Sequence, residues 1–534
     1  MNVEDKRGNC KKDAAEICND NLMRMLEDNQ NTVFGKKHHF SEIRDVDGYR
    51  QAVPLTNYED FRGYIEDMLR GEENLLTVYP VVAFCHSSGT AGLAKDLPVT
   101  REALLRYSDY LEQHKNETMR THGGKRLFIN TLRTELDKEM KSPMLFSEIY
   151  YRFLWEQGQL HKEEYIGEDL LLFQKKSDNM FFAKVWAAML TEDLVLIESI
   201  FLYDQLCFFH YMEQNWEKIL WCIRNHTIMD EWKLPEKVEK WLLEMEVREE
   251  RLNLIEEECK KGFAGIAGRL WPKLCLISGI SNRAYFSEDA VLKKYTEDIP
   301  LHYFCYCASE CYMATAWNNH DFSFRLQPEC AFFEFIPYQE DDEETSAEKT
   351  FLANELNIGQ QYEVVLTTYS GLYRYKMGDV VKVTGYQDGS PMLEVMFRKS
   401  IALNIAGEKV TVTQIEDVMA EVSKHYESII EYCFGVCGEN IPGNYLVYIS
   451  MDEPQSENAE EIATLIDEVL SNENPDYKDL RELGRIGNVD VRILDRDAYM
   501  EFMKENGLMD GHNKPKHVSL KSFCKGKDRS CEKT

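Results

Sequence analysis

Apolar positions recur at intervals of three and four residues early in the chain. Phe61, Ile65, Met68 and Leu69 follow the polar opening Asn57-Tyr58-Glu59-Asp60 and end at Gly71. Such spacing puts one apolar stripe on a helix. Residues 1 to 75 read as mostly helical, and residues 100 to 120 as a further helix. Arg126 to Thr131 reads as a strand. Residues 178 to 224 carry a long helical pattern broken near Thr191-Glu192-Asp193. Its most apolar part, Leu194 to Phe209, is interrupted by Glu198 and Asp204 and is too short to span a bilayer, so it predicts a buried helix. Pro235 opens another helix that runs to Gly262, with glutamates and lysines three and four apart on a solvated face. Leu274 to Ser278 and Leu301 to Tyr306 read as strands.

After residue 328 the pattern changes to short strands: Cys330 to Ile336, Tyr362 to Tyr369, Val380 to Tyr386 and Glu394 to Phe397. The acidic run Glu340 to Glu344 reads as a solvated loop. Beyond Arg398 strands and helices alternate again: Tyr445 to Ser450, Asn458 to Leu470, Val489 to Leu494 and Asp497 to Asn506. This last part has the size of one small domain. The expected architecture is α/β: a large N-terminal domain with mixed sheets, residues 1–397, and a small α+β C-terminal domain, residues 398–534.

At 534 residues, 44% apolar and 12% aromatic, the chain can bury a large core. Its formal net charge of −31 would repel duplex nucleic acid and anionic membranes, so neither is an expected partner. The first residues are polar and charged, with no apolar signal segment. The 15 cysteines sit mostly in apolar runs. The cluster Cys305, Cys307, Cys311 lacks a second paired half, so reduced thiols in a cytoplasmic chain are the expectation.

Candidate chemistry begins at His86-Ser87-Ser88-Gly89-Thr90-Ala91-Gly92-Leu93-Ala94-Lys95, which follows a buried strand over Val81 to Cys85. Small hydroxyl residues and two glycines let backbone N–H groups converge on a phosphate chain, and Lys95 adds positive charge. No Ser or Thr follows the lysine, so this is not the common GxxxxGK[ST] loop. Further along, Tyr306-Cys307-Ala308-Ser309-Glu310 offers an aromatic face, a hydroxyl and a carboxylate able to hold Mg²⁺. Gly378-Asp379 punctuates two strands, as an ordinary hairpin turn or as a carboxylate for ribose hydroxyls. Arg398 follows 19 residues later. Gly511-His512-Asn513-Lys514-Pro515-Lys516 carries late lysines.

The order of these segments resembles that of adenylate-forming enzymes: phosphate loop [ST]-[SG]-G-[ST]-x-G-x-x-K, then Y-x-x-[ST]-E, GD, a basic residue opening a small domain, and a late lysine. Arg398, Gly407 and Glu416 fall at the intervals of the R-x-D-x-x-I-K-x-x-G-x-x-[VI]-x-x-x-x-[IV]-E pattern, with Ser400 in place of the aspartate. Within that superfamily the chain resembles the acyl acid amido synthetases first known as plant auxin-responsive proteins, the Gretchen Hagen family. The resemblance runs from about residue 20 to residue 520. Its landmarks include Asn29 to Gly35, Val53 to Asp60, Ser87 to Thr90, Leu270 to Pro272 and Ala308 to Tyr312. Phe332 to Pro337, Tyr373 to Tyr386, Asn474 to Tyr477 and the closing NK-x-K continue the set. The phosphate loop and the closing segment are each one residue shorter than the usual plant forms.

The resemblance implies a two-step ligase using ATP and Mg²⁺. A carboxylic acid becomes an acyl adenylate, and an amine, often an amino acid, then attacks it. It places Ser87, Ser88, Gly89 and Thr90 at the phosphates, with Ser309 and Lys95 contributing. Tyr306 would lie at adenine, Glu310 at Mg²⁺, and Asp379 and Arg398 at the ribose. Lys514, with Lys516 as alternative, would be the adenylation lysine, and a hinge would lie near Arg398 to Ser400. A thioester ligase using coenzyme A and a non-catalytic nucleotide-binding relative are the other two readings.

Overall fold

Runs that are apolar on both faces build a parallel sheet in the N-terminal part. In the computed structural model, Lys125–Phe128, Leu194–Phe201, Leu276–Ile280 and Leu301–His302 lie side by side in that order, all parallel. The structure describes residues 13–87, 95–111, 113–132, 146–172, 179–281, 288–317, 322–338, 349–399, 403–426, 429–437, 441–451, 459–506 and 508. Helix Leu202–Arg224 packs beside this sheet and helix Met180–Leu190 packs against that helix, and Trp186 and Trp271 are buried in the same core.

Three expected elements are corrected here. Leu194 to Phe209 is not one buried helix. Its first eight residues are the strand Leu194–Phe201, and helix Leu202–Arg224 follows directly. The run is apolar almost throughout, so its periodicity could not separate helix from strand. Its β-branched Val195, Ile197 and Ile200 favour the strand. The helix expected from Pro235 to Gly262 is two helices, Glu236–Glu244 and Glu249–Lys260. The second is anchored by the buried Arg251, which donates to Met189 O at 2.7 Å and Leu270 O at 2.9 Å. The strand expected over Leu301 to Tyr306 breaks at Tyr303-Phe304. Leu301–His302 ends the parallel sheet and Cys305–Cys307 opens a second sheet.

That second sheet has seven antiparallel strands, in the order Ala331–Pro337, Gln361–Thr368, Tyr375–Gln387, Ser390–Arg398, Phe324–Leu326, Tyr312–Ala316 and Cys305–Cys307. Val81–Ser87 and Lys95–Thr100 pair separately as a hairpin around the glycine-rich segment. Residues beyond 403 build a three-stranded sheet from Ile429–Cys437, Asn444–Met451 and Asp490–Leu494. Helix Val412–His425 opens with a capping box between Thr411 and Gln414, which fixes where it starts. The acidic run Glu340 to Glu344 lies outside the described residues.

Candidate active site

Three local devices of the antiparallel sheet converge. The first is a tight turn. Ala308 and Cys311 exchange backbone hydrogen bonds of 2.9 and 3.2 Å, which leaves Ser309 and Glu310 at the tip between Cys305–Cys307 and Tyr312–Ala316. The second is a bulge. Gly378-Asp379 is not a hairpin turn between two strands, one of its two sequence readings, but lies inside strand Tyr375–Gln387. Pairing with Gln361–Thr368 slips there, and Gly378 takes φ +78°, where a side chain is strained. The third is the end of strand Ser390–Arg398, where Arg398 sits opposite Asp379 in register.

These devices bring side chains 88 residues apart into contact. Arg398 Nη2 donates to Glu310 Oε1 at 3.1 Å, and its Nε lies 3.4 Å from Asp379 Oδ1. The Tyr306 hydroxyl donates to Asp379 Oδ2 at 2.8 Å. Lys95 enters from the hairpin: its Nζ donates to the Tyr375 hydroxyl at 3.3 Å and lies 5.6 Å from the centre of the Tyr58 ring. Tyr58 belongs to the Val53 to Asp60 landmark and Tyr375 to the Tyr373 to Tyr386 landmark. Thr56 joins them by donating through its backbone to Arg374 O at 2.9 Å. Ser309 lies within hydrogen-bonding reach of the buried Cys85 thiol, which burial pushes up to about 12.

The two carboxylates respond in opposite directions. Burial works against ionisation of Glu310, but Arg398, then Lys95 and Lys409, outweigh it and hold the group below its usual range. Burial dominates at Asp379 and raises it, although Arg398 and the Tyr306 hydroxyl pull the other way. Burial also lowers Lys95, against the attraction of Glu310. The sequence reading missed Lys409. It comes from the 403–410 loop of the C-terminal part and adopts the left-handed φ of +49°, and no signal in the sequence marks that conformation. Three cations, Lys95, Arg398 and Lys409, thus act on two carboxylates, Glu310 and Asp379. In a chain of net charge −31 this is a local excess of positive charge, suited to a polyphosphate.

A single buried carboxylate such as Glu310 suits Mg²⁺, which keeps waters and takes further ligands from phosphates. Among the described residues no group of three or more His, Cys, Asp or Glu is arranged to hold a metal. Ser87 ends its strand at the mouth of the glycine-rich segment. Ser88, Gly89 and Thr90 lie outside the described residues, as do Ser400, Lys514 and Lys516.

Comparison with known proteins gives this geometry its context. The GH3 family N-terminal domain matches residues 6–301, the GH3 family central domain residues 324–398 and the GH3 family C-terminal domain residues 413–522. Indole-3-acetic acid-amido synthetase GH3.8 of Oryza sativa subsp. indica is 26% identical over 515 residues, covering 90% of this chain and 84% of the relative. Indole-3-acetic acid-amido synthetase GH3.17 of Arabidopsis thaliana is 25% identical over 526 residues, covering 87% and 84%. Among solved structures, the AtGH3.15 acyl acid amido synthetase in complex with 2,4-DB superposes with a TM-score of 0.64 at 21% identity, over 95% of this chain and 91% of that one. A 2-hydroxyisobutyryl-CoA ligase in complex with 2-HIB-AMP and CoA reaches 0.51 at 11% identity, over 96% and 89%. The fold is that of adenylate-forming enzymes, and the chain, matched in order by all three domains, belongs to the GH3 family.

Proposed function

We propose that the chain is an ATP-dependent acyl acid amido synthetase that adenylates a carboxylic acid and passes the acyl group to an amine, an amino acid in the first instance. The observation that carries this reading is the buried cluster of Glu310, Asp379 and Arg398 with Lys95 and Lys409 around it. An acyl carboxylate and ATP are both anionic, and such a cluster offsets their repulsion. In the first step a carboxylate oxygen attacks the α-phosphorus and pyrophosphate leaves. In the second the amine nitrogen attacks the acyl carbonyl, AMP leaves and the nitrogen loses a proton.

Within this scheme Asp379 accepts the ribose hydroxyls, held in place by Tyr306 and Arg398, and so orients the nucleotide for in-line attack. Tyr306 lies at the adenine side. Ser87 to Thr90 cradle the phosphates, with Ser309 and Lys95 beside them. Mg²⁺, bound at Glu310, would neutralise phosphate charge. Residues 398–534 form the mobile domain that supplies Lys514. The reaction is placed in the cytoplasm. Ten of the twelve described cysteines are buried as free thiols, which suits core packing in a reducing compartment. The partners are small acids and amines, not nucleic acid or membrane. Among the described residues no helix is long and apolar enough to cross a membrane.

Acid-dependent exchange of labelled pyrophosphate into ATP tests the first step, and product mass with amines against thiols tests the second. Thioester formation without amide would replace this reading by the coenzyme A ligase. No exchange with any acid would leave a nucleotide-binding relative. Lys514→Ala is expected to cut exchange by orders of magnitude with ATP affinity retained, because its charge acts mainly in the transition state. Near-normal exchange in Lys514→Ala with loss in Lys516→Ala would move the role to Lys516. Loss in neither would remove a C-terminal lysine from the mechanism.

A further inference from the structure

The C-terminal part meets the N-terminal part in a polar contact where strand Leu194–Phe201 gives way to helix Leu202–Arg224. The Tyr203 hydroxyl accepts from Gly443 N at 2.6 Å and donates to Arg485 O at 2.8 Å. Arg485 Nη1 lies 3.3 Å from Asp204 Oδ1, with side chains only 14% and 13% exposed. The guanidinium also sits 3.7 Å from the centre of the Phe181 ring. Asp204 is held from behind, because Asn130 Nδ2 donates to its Oδ2 at 2.8 Å. Beside these contacts the 403–410 loop approaches so closely that a Cβ on Gly407 would lie 3.2 Å from the Phe201 ring.

None of these contacts is needed to form a strand or helix. The hydrogen bonds of Tyr203 join residues more than 200 positions apart. They also fix which surface of the C-terminal part faces the cluster. Hydrogen bonds tie the 403–410 loop to that part. The buried Glu408 accepts from Ile405 N at 2.6 Å, Ala406 N at 2.8 Å and the Tyr445 hydroxyl, and Asn474 Nδ2 donates to Glu408 O at 2.8 Å. Lys409, next in the loop, is the residue whose charge reaches Glu310, Asp379 and Lys95.

We propose that Tyr203 and Asp204 form a latch for Gly443 and Arg485, and that the latch holds the C-terminal part in the orientation used for acyl transfer to the amine rather than for adenylation. The second clause rests on the proposed function, in which adenylation draws on Lys514 from a different segment. A latch for one orientation lowers the population of the other, so its loss separates the two half-reactions. Tyr203, Asp204 and Arg485 are therefore positioning residues.

The test uses the full chain with Arg485→Ala and, as a gentler change that deletes one oxygen, Tyr203→Phe. Amide formation from added acyl adenylate and amine is expected to fall roughly tenfold in Arg485→Ala, with pyrophosphate exchange unchanged or faster. Exchanging the charges, with Asp204→Arg and Arg485→Asp together, is expected to recover part of the transfer rate. Amide hydrogen exchange over residues 403–410 and 441–446 is expected to quicken in both single variants, with strand Leu194–Phe201 unchanged. Parallel loss in both half-reactions, or loss in neither, would overturn the transfer role. Unaltered hydrogen exchange over those segments would overturn the latch. If the parent protein shows no pyrophosphate exchange with any acid, the proposed function fails, and the hydrogen-exchange comparison still decides the latch.

Discussion

Arg374 and Arg398 belong to one antiparallel sheet region, and both meet buried carboxylates, yet their surroundings are built in opposite ways. Arg374 grips Glu334 with two nitrogens, at 3.0 and 3.2 Å, and donates to Val53 O at 2.8 Å and Arg50 O at 3.2 Å. Glu334 also accepts from Arg50 at 3.0 Å and from the Thr350 hydroxyl at 2.5 Å. Two arginines and a hydroxyl thus serve one carboxylate, and the chain itself completes the set. At Arg398 one guanidinium is shared by two carboxylates from different segments of the sheet, at 3.1 and 3.4 Å, and burial still pushes Asp379 above its usual range. The first arrangement fastens segments together. The second carries a carboxylate that folding alone does not favour, which fits the nucleotide-binding role proposed for Asp379.

The largest expected effect breaks the first cluster. Glu334→Ala leaves two arginines without their shared carboxylate, and about 3–5 kcal/mol of folding stability should be lost. Denaturant unfolding checks this; a midpoint close to that of the parent would show that Glu334 does not fasten the sheet. The second effect is smaller and falls on the ligand. Asp379→Ala should weaken ATP binding by about 1.5–3 kcal/mol, the range for hydrogen bonds to a charged group. Unchanged nucleotide affinity by calorimetry would remove Asp379 from the ribose.

The subtlest effect is a pH dependence. The raised pKa of Asp379 means that its stabilising contribution is complete below the unfolded value near 3.8 and is lost as pH rises through the folded value. A neutral amide in its place would resemble the protonated acid at every pH. Asp379→Asn is therefore expected to be more stable than the parent at pH 7 by thermal unfolding, with the gap closing toward pH 3.8. A gap of opposite sign would mean that Arg398 binds Asp379 more strongly than burial disfavours it. The comparison between the two clusters would then lose its basis.

Much of the candidate site was legible as residue types in order. Lys95, Tyr306, Glu310, Asp379 and Arg398 are all named from short segments, and the described residues bring all five together. Legibility failed where a local pattern admits two structures. Leu194–Phe201 is buried on both faces over most of its length, so a strand and a helix leave the same apolar run. Gly378-Asp379 has the composition of a turn, and only its pairing with two flanking strands makes it a bulge. Lys409 was invisible for another reason. Its role depends on where the 403–410 loop lies relative to a sheet built from residues 305–398.

The sequence by itself determined the elements whose signals are local: the amphipathic stripe of helix Glu59–Leu69, the short strands after residue 328, and the ordered landmarks that identify the family. Only the tertiary structure decided which charges meet. Burial and distance set the opposite responses of Glu310 and Asp379, and both quantities arise from contacts between distant segments. The contacts of Tyr203 and Asp204 with Gly443 and Arg485 belong to the same class. Hydrogen bonds at 2.6 to 2.8 Å depend on directional atoms from both partners, and a chain read one segment at a time contains neither the distance nor the direction.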